Sequence, residues 1–248
     1  MKRDGEISFV ELAERDLHDY TLIEGFPGMG LVGTISAKYL IEKMGFEEVG
    51  YIDMDVFAPI IRIHEGLPVH PSRIYANASK KLVVLLSEQI IPRNATEKLA
   101  DGIVEWIGEK RIKRVISLAG ISLDASEDKN KIYGIAANPK SKELLKKHGI
   151  EIIQDGITTG VTALILLNLK DSNLEAFSIL GNVQIQADYK GAAQLLRKLN
   201  EIIGLNIDVE PLLKEAKETE KELLKHLDNM KKTHETVQKL EGKAPMYT

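Results

Sequence analysis

The chain has no cysteine in 248 residues. That excludes disulfides, thiol nucleophiles and cysteine-ligated metal centres, and it leaves the redox compartment open. An excess of either charge is also lacking. There are 33 Lys and Arg against 37 Asp and Glu, a formal net charge of −4, so nothing suggests a nucleic-acid partner. No apolar run approaches the roughly 18 residues that a membrane span requires. The opening MKRDGEISFVELAERD is charged where a signal peptide would be apolar. Neither a G-x-x-x-x-G-K-[ST] phosphate loop nor a G-x-S-x-G nucleophile elbow occurs, and no Ser, His and Asp are grouped locally. What is present is 44% hydrophobic and 28% charged residues, enough for a sizeable core in one large domain or a domain with an appendage. These features lead us to expect a cytoplasmic α/β protein with no membrane partner.

Up to residue 206, short apolar runs alternate with amphipathic stretches. Strands are expected over 20–26, 49–54, 82–87, 114–119, 131–136 and 176–182. Helices are expected over 31–44, from 92 to about 110, and over 141–148, 160–168 and 191–203. Segments 60–64 and 73–78 are expected to pair as a hairpin around Pro68 and Pro71. Strands alternating with helices of this length predict a mostly parallel sheet covered on both faces, a three-layer α/β/α sandwich spanning 1–206.

From Pro211 onward the strand signal disappears. Leu213, Ala216, Glu220, Leu223, Leu227, Met230, His234 and Val237 recur at alternating spacings of three and four, the a and d positions of a heptad. The expectation is a projecting helix or coiled coil over 207–241, with Leu213, Leu223, Leu227, Met230 and Val237 as an oligomerisation seam. Pro245 ends any helix, leaving 242–248 as a flexible tail that carries Met246-Tyr247-Thr248.

The most conspicuous motif is Gly28-Met29-Gly30-Leu31-Val32-Gly33, a G-x-G-x-x-G between an expected strand and helix, with Asp53 20 residues beyond Gly33. Two readings are open. One is a nucleotide or nucleoside site, with the glycines admitting a pyrophosphate and Asp53 holding a ribose. The other is a tight structural turn whose glycines permit close packing. His64 and His70 flank Glu65 without an identifiable third ligand, so they read as exposed loop residues and no metal is expected. Ser87-Glu88-Gln89 and Asp124 follow expected strands, where α/β folds place sites. Thr158 and Thr159 precede an apolar helix that they are placed to cap, or at whose start they are placed to meet an anion.

The order GFPGMGLVG at 25–33, LSEQIIP at 86–92, ISLAGI at 116–121, YGIAANP at 133–139 and DGITTGVTALIL at 155–166 resembles the archaeal branch of the proteasome assembly chaperone 2 family, in its B-type form. The resemblance covers roughly residues 20–220. It implies a nucleoside-phosphorylase-like sandwich that acts as a binding protein, not an enzyme, and needs no cofactor. It also turns Gly25, Gly28, Gly30 and Gly33 toward the structural reading. The partner it implies is the α-ring of the 20S proteasome. Met246-Tyr247-Thr248 then reads as a hydrophobic–tyrosine–any docking tail, its Tyr combining apolar area with a polar handle. Self-association into an even number of subunits, such as a tetramer, would present several tails at once.

Overall fold

The computed structural model describes residues 7–122, 131–183, 186–214, 224–225 and 227–232. Nine strands form one sheet: β1 (Ile7–Glu11), β2 (Thr21–Gly25), β3 (Glu47–Met54), β6 (Ser72–Asn77), β7 (Leu82–Ser87), β8 (Arg114–Ile121), β9 (Ile132–Ala136), β10 (Glu151–Ile152) and β11 (Glu175–Asn182). Their spatial order is β1-β3-β6-β7-β2-β8-β11-β9-β10. The helices are α1 (Val32–Met44), α2 (Arg93–Glu109), α3 (Pro139–Lys147), α4 (Val161–Asn168), α5 (Tyr189–Ile203) and the short α6 (Glu210–Lys214).

The three-layer arrangement follows from strand alternation. Ile23, Ile116, Leu118, Phe177 and Ile179 point to one face and are buried with α1, α5 and Leu145 of α3. Leu22, Val83, Leu85, Val115 and Ala176 point to the other, against Leu99, Ile103 and Trp106 of α2 and Ile165 of α4. The sheet is mixed, which corrects the expectation of a mostly parallel one. Only the central run β7-β2-β8-β11 and the β9-β10 pair are parallel, whereas β1, β3, β6 and β7 pair antiparallel in sequence and β9 runs antiparallel to β11.

The expected hairpin between 60–64 and 73–78 does not form. Instead β4 (Arg62–His64) pairs with β5 (Leu67–Val69) in a separate two-stranded sheet, while β6 enters the main sheet between β3 and β7. Glu65 at φ 50° and Gly66 at φ 80° supply the two positive dihedrals of a two-residue hairpin turn, so the chain reverses before Pro68. Strand β1 was not anticipated either. It is held by the stacking of Phe9 on Trp106, with ring centres 5.3 Å apart, and by Ile7 filling the space over Gly102.

The chain stays packed beyond residue 206. Leu205, Ile207, Val209 and Leu212 are buried in the cluster on the α1/α5 face, and the Tyr39 hydroxyl donates to the Asp208 carbonyl at 2.7 Å. Leu213 packs partly against the same cluster. Residues 227–232 are helical, with Leu227 and Met230 buried and Leu227 a member of that cluster. At Leu227 the segment therefore lies on its own sandwich and does not stand clear of it. Leu223, Val237 and the tail Met246-Tyr247-Thr248 lie outside the described residues.

The contact of α1 with the sheet leaves no space for a side chain at Gly33, where a Cβ would stand 2.1 Å from the Leu118 carbonyl oxygen. Gly33→Ala is therefore expected to lower stability by about 3 kcal/mol in chemical denaturation. Gly108→Ala in α2, where a Cβ meets nothing within 4 Å, should be neutral or slightly stabilising.

Candidate functional site

The four parallel strands end together, and the loops that leave them gather most of the residues singled out from the sequence. After β2 the chain makes one 3-10 turn over Met29–Leu31 before α1 begins. Gly30 takes φ 61° and Leu31 φ 52°, so the backbone is left-handed at both positions. The glycines of the turn face protein. A Cβ on Gly30 would lie 2.5 Å from Val183 Cγ1, one on Gly25 2.4 Å from Ala37 Cβ, and only Gly28 borders open space. The Gly30 carbonyl also accepts the Asp188 N–H at 2.8 Å, joining the turn to the start of α5.

This geometry removes the basis for the dinucleotide reading. In such sites the acidic residue ends the strand adjacent to the glycine-turn strand. Here Asp53 lies on β3, three positions from β2 in the sheet, about 14 Å away at about 4.8 Å per strand.

Ser87, Glu88 and Gln89 are all buried. Glu88 accepts from Arg62 at 2.7 Å and from Arg73 at 2.7 Å, and Arg73 approaches Glu48 at 3.4 Å. Ser87 Oγ and Ser72 Oγ are 3.0 Å apart, and Gln89 Nε2 donates to Ser72 Oγ. The cluster is an anchor, because it ties Arg62 of the β4–β5 hairpin to the ends of β6 and β7. The hairpin itself leaves Ile61, Ile63 and Leu67 exposed. His64 and His70 are exposed, as expected, and His70 stacks on Tyr51 with ring centres 3.6 Å apart. Among the described residues no three His, Asp or Glu side chains come together as a metal site. Asp124 lies outside the described residues.

Thr158 and Thr159 do not cap α4. Its N-cap is Gly160, at φ 94°, with no side-chain bond to the first turn. Both threonines instead line a cavity of about 190 Å³, together with Phe26, Gly28, Ile90, Thr162 and Leu180. Beneath it runs a row of polar side chains that sequence reasoning missed. Glu24, Ser117 and Ser178 are opposite one another across β2, β8 and β11. Ser117 Oγ donates to Glu24 Oε2 at 2.6 Å, Thr162 Oγ1 meets Glu24 Oε1 at 2.5 Å, and Ser178 Oγ donates to the Ser117 carbonyl at 3.2 Å. Glu24 is 1% exposed. Burial pushes its carboxyl above the usual carboxylate range, against the opposing pull of the hydrogen bonds from Ser117 and Thr162. The signal in the sequence was a single acid beside Leu22 and Ile23 in the strand TLIEG.

The architecture is that of an α/β/α sandwich whose distinctive part is a glycine turn locked onto the sheet, with a small cavity beside it. A family model described as the PAC2 family matches residues 22–227, and the chain belongs to that family. It is 35% identical over 232 residues to an uncharacterized protein of Methanocaldococcus jannaschii, MJ0106, covering 92% of this chain and 95% of that one. Among solved structures it resembles Pyrococcus furiosus PbaA, "an archaeal homolog of proteasome-assembly chaperone", at 29% identity and TM-score 0.83, covering 92% of this chain and 99% of that one. It shares the fold of Pyrococcus furiosus PbaB, "an archaeal proteasome activator", at 22% identity and TM-score 0.75, covering 89% of this chain and 98% of that one.

The raised Glu24 carboxyl predicts a pH-dependent stability. The folded chain holds this proton more tightly than the unfolded chain, so the stability it contributes is complete at acid pH. That stability is lost as pH climbs from the ordinary carboxylate range toward the raised folded value. Glu24→Gln carries no charge and escapes the loss. Its denaturation midpoint should therefore gain on the wild type as pH rises above the ordinary carboxylate range, as followed by circular dichroism.

Proposed function

We propose that this chain is a proteasome assembly chaperone or ATP-independent proteasome activator that binds the α-ring of the 20S core particle. The observation that carries the reading is the family match over residues 22–227, joined to the likeness to PbaA along 99% of that protein's length. In this reading the sandwich is a scaffold for a homo-oligomer with an even number of subunits, such as a tetramer. Leu213, Leu223, Leu227, Met230 and Val237 lie in the segment that leads from the sandwich to the tail.

The finer part of the proposal is the contact itself. Met246-Tyr247-Thr248 enter pockets between neighbouring α-subunits, with the terminal carboxylate paired to a lysine and the Tyr247 ring as anchor. Several tails on one oligomer bind with avidity, since each docked tail raises the effective concentration of the next. Neither assembly nor activation requires nucleotide in this scheme.

Surface plasmon resonance on immobilised 20S α-rings tests it. Tyr247→Ala is expected to weaken binding by about thirtyfold per tail, the effect of removing a docked aromatic anchor of about 2 kcal/mol. Extending the chain by one residue beyond Thr248 should weaken it comparably, because the carboxylate moves while every side chain stays. Unchanged affinity in both proteins would rule out docking by the tail, and absence of binding by the unaltered chain would overturn the proteasome reading.

A further inference from the structure

The row Glu24–Ser117–Ser178 has no evident structural purpose. Apolar side chains in these three positions would fill the space beneath α4 without the cost of desolvating a carboxyl and two hydroxyls. The contrast with Glu88 is informative. Glu88 is buried between two arginines, while Glu24 has hydroxyl partners and, among the described residues, no cationic one. A buried carboxyl without an ionic partner, beside a cavity, is the kind of group that sites are built around.

A cavity lies directly above the row. Ser178 and Thr162 line it, so the row reaches the cavity through two hydroxyls. The other walls combine apolar side chains, Phe26, Ile91, Ile135 and Leu180 among them, with Thr96, Thr158 and Thr159. It sits at the carboxyl ends of β2, β8 and β11, where parallel sheets bind ligands. Among the described residues no charged side chain lines it. The volume, about 190 Å³, equals about six waters of liquid and falls well below that of a drug-sized pocket.

We propose that this cavity binds a small uncharged molecule with a short, branched apolar body and one carbonyl or hydroxyl oxygen, held by the Thr162 hydroxyl. No cation lines it among the described residues, which makes a charged ligand costly, and the size excludes a nucleoside. The buried carboxyl sets the polarity of the contact. Thr162 Oγ1 donates to Glu24 Oε1; a proton on that carboxyl oxygen would reverse the bond, with Glu24 donating and the threonine proton turned toward the cavity as a donor. The ligand oxygen accepts it, and its apolar body lies against Phe26, Ile135 and Leu180.

Saturation-transfer NMR on the full chain tests the assignment, with 3-methyl-2-butanone as the neutral probe and isovalerate as its charged counterpart. The ketone is expected to bind saturably, and isovalerate more weakly at neutral pH. Ala119→Leu places bulk on the cavity face of β8 and should weaken ketone binding at least tenfold. Thr162→Val keeps the shape, removes the donor and should cost about fivefold, the value of one hydrogen bond. Circular dichroism establishes that each variant is folded, and if Ala119→Leu does not fold, Thr162→Val decides. Three results would overturn the proposal: no saturable ketone signal, ketone binding indifferent to the substitutions in folded protein, or isovalerate binding as tightly as the ketone.

Discussion

Between α1 and the centre of the sheet the backbones meet without intervening side chains, and most of the molecule is arranged around that contact. Gly33 lies against the Leu118 carbonyl, Gly25 against Ala37 of α1, and Gly120 against the Met29 carbonyl. A helix that approaches this closely cannot slide or rotate, because each clash would involve main chain instead of an adjustable rotamer. The turn at its head is fixed by the same contacts. Through the Gly30 carbonyl that turn also fixes where α5 starts, so β2, β8, α1 and α5 form one rigid unit. The run GFPGMGLVG is thus explained by packing at three of its four glycines.

Fixing that unit has a consequence for the opposite face. With β2, β8 and β11 held in register, Glu24, Ser117 and Ser178 fall side by side, and α4 brings Thr162 to complete the chain of hydroxyls. Two buried glutamates, Glu88 and Glu24, have opposite solutions. Glu88 spends its charge on binding Arg62 and Arg73 and so pins the β4–β5 hairpin. Glu24, among hydroxyls, is pushed toward its neutral form. The first is a clamp, and the second is a carboxyl whose ionisation burial opposes.

Much of this was legible in the sequence wherever a local pattern is decisive. Continuous apolar runs such as LVVLLS gave buried strands, and spacings of three and four gave α2 and α5 nearly to their ends. Pairing partners were harder, because strand direction is a tertiary outcome. The turn at Glu65-Gly66 lacks the usual Asn-Gly signature, so β4 was matched with the wrong segment. Of the heptad stripe, Leu227 and Met230 are buried and Leu213 is partly so, and a stripe does not specify its partner. At Leu227 the partner is the chain's own sandwich. The G-x-G-x-x-G motif was likewise ambiguous until the sheet order moved Asp53 away from it. Glu24 escaped notice because a single acid in a strand gains meaning only when its register partners are known.

The two margins of the main sheet are not equivalent. On one side it finishes at β10, two residues long, with Glu151 drawn into an ion pair with Lys131. So short a border offers almost no unpaired backbone for another strand to join. On the other side it finishes at β1, five residues that among the described residues are paired only with β3. Copies of this chain, or a partner peptide, that extended the sheet by strand addition would therefore have a single direction of growth, through β1. Any closed ring must then be built from side-chain contacts on the faces or ends of the sandwich.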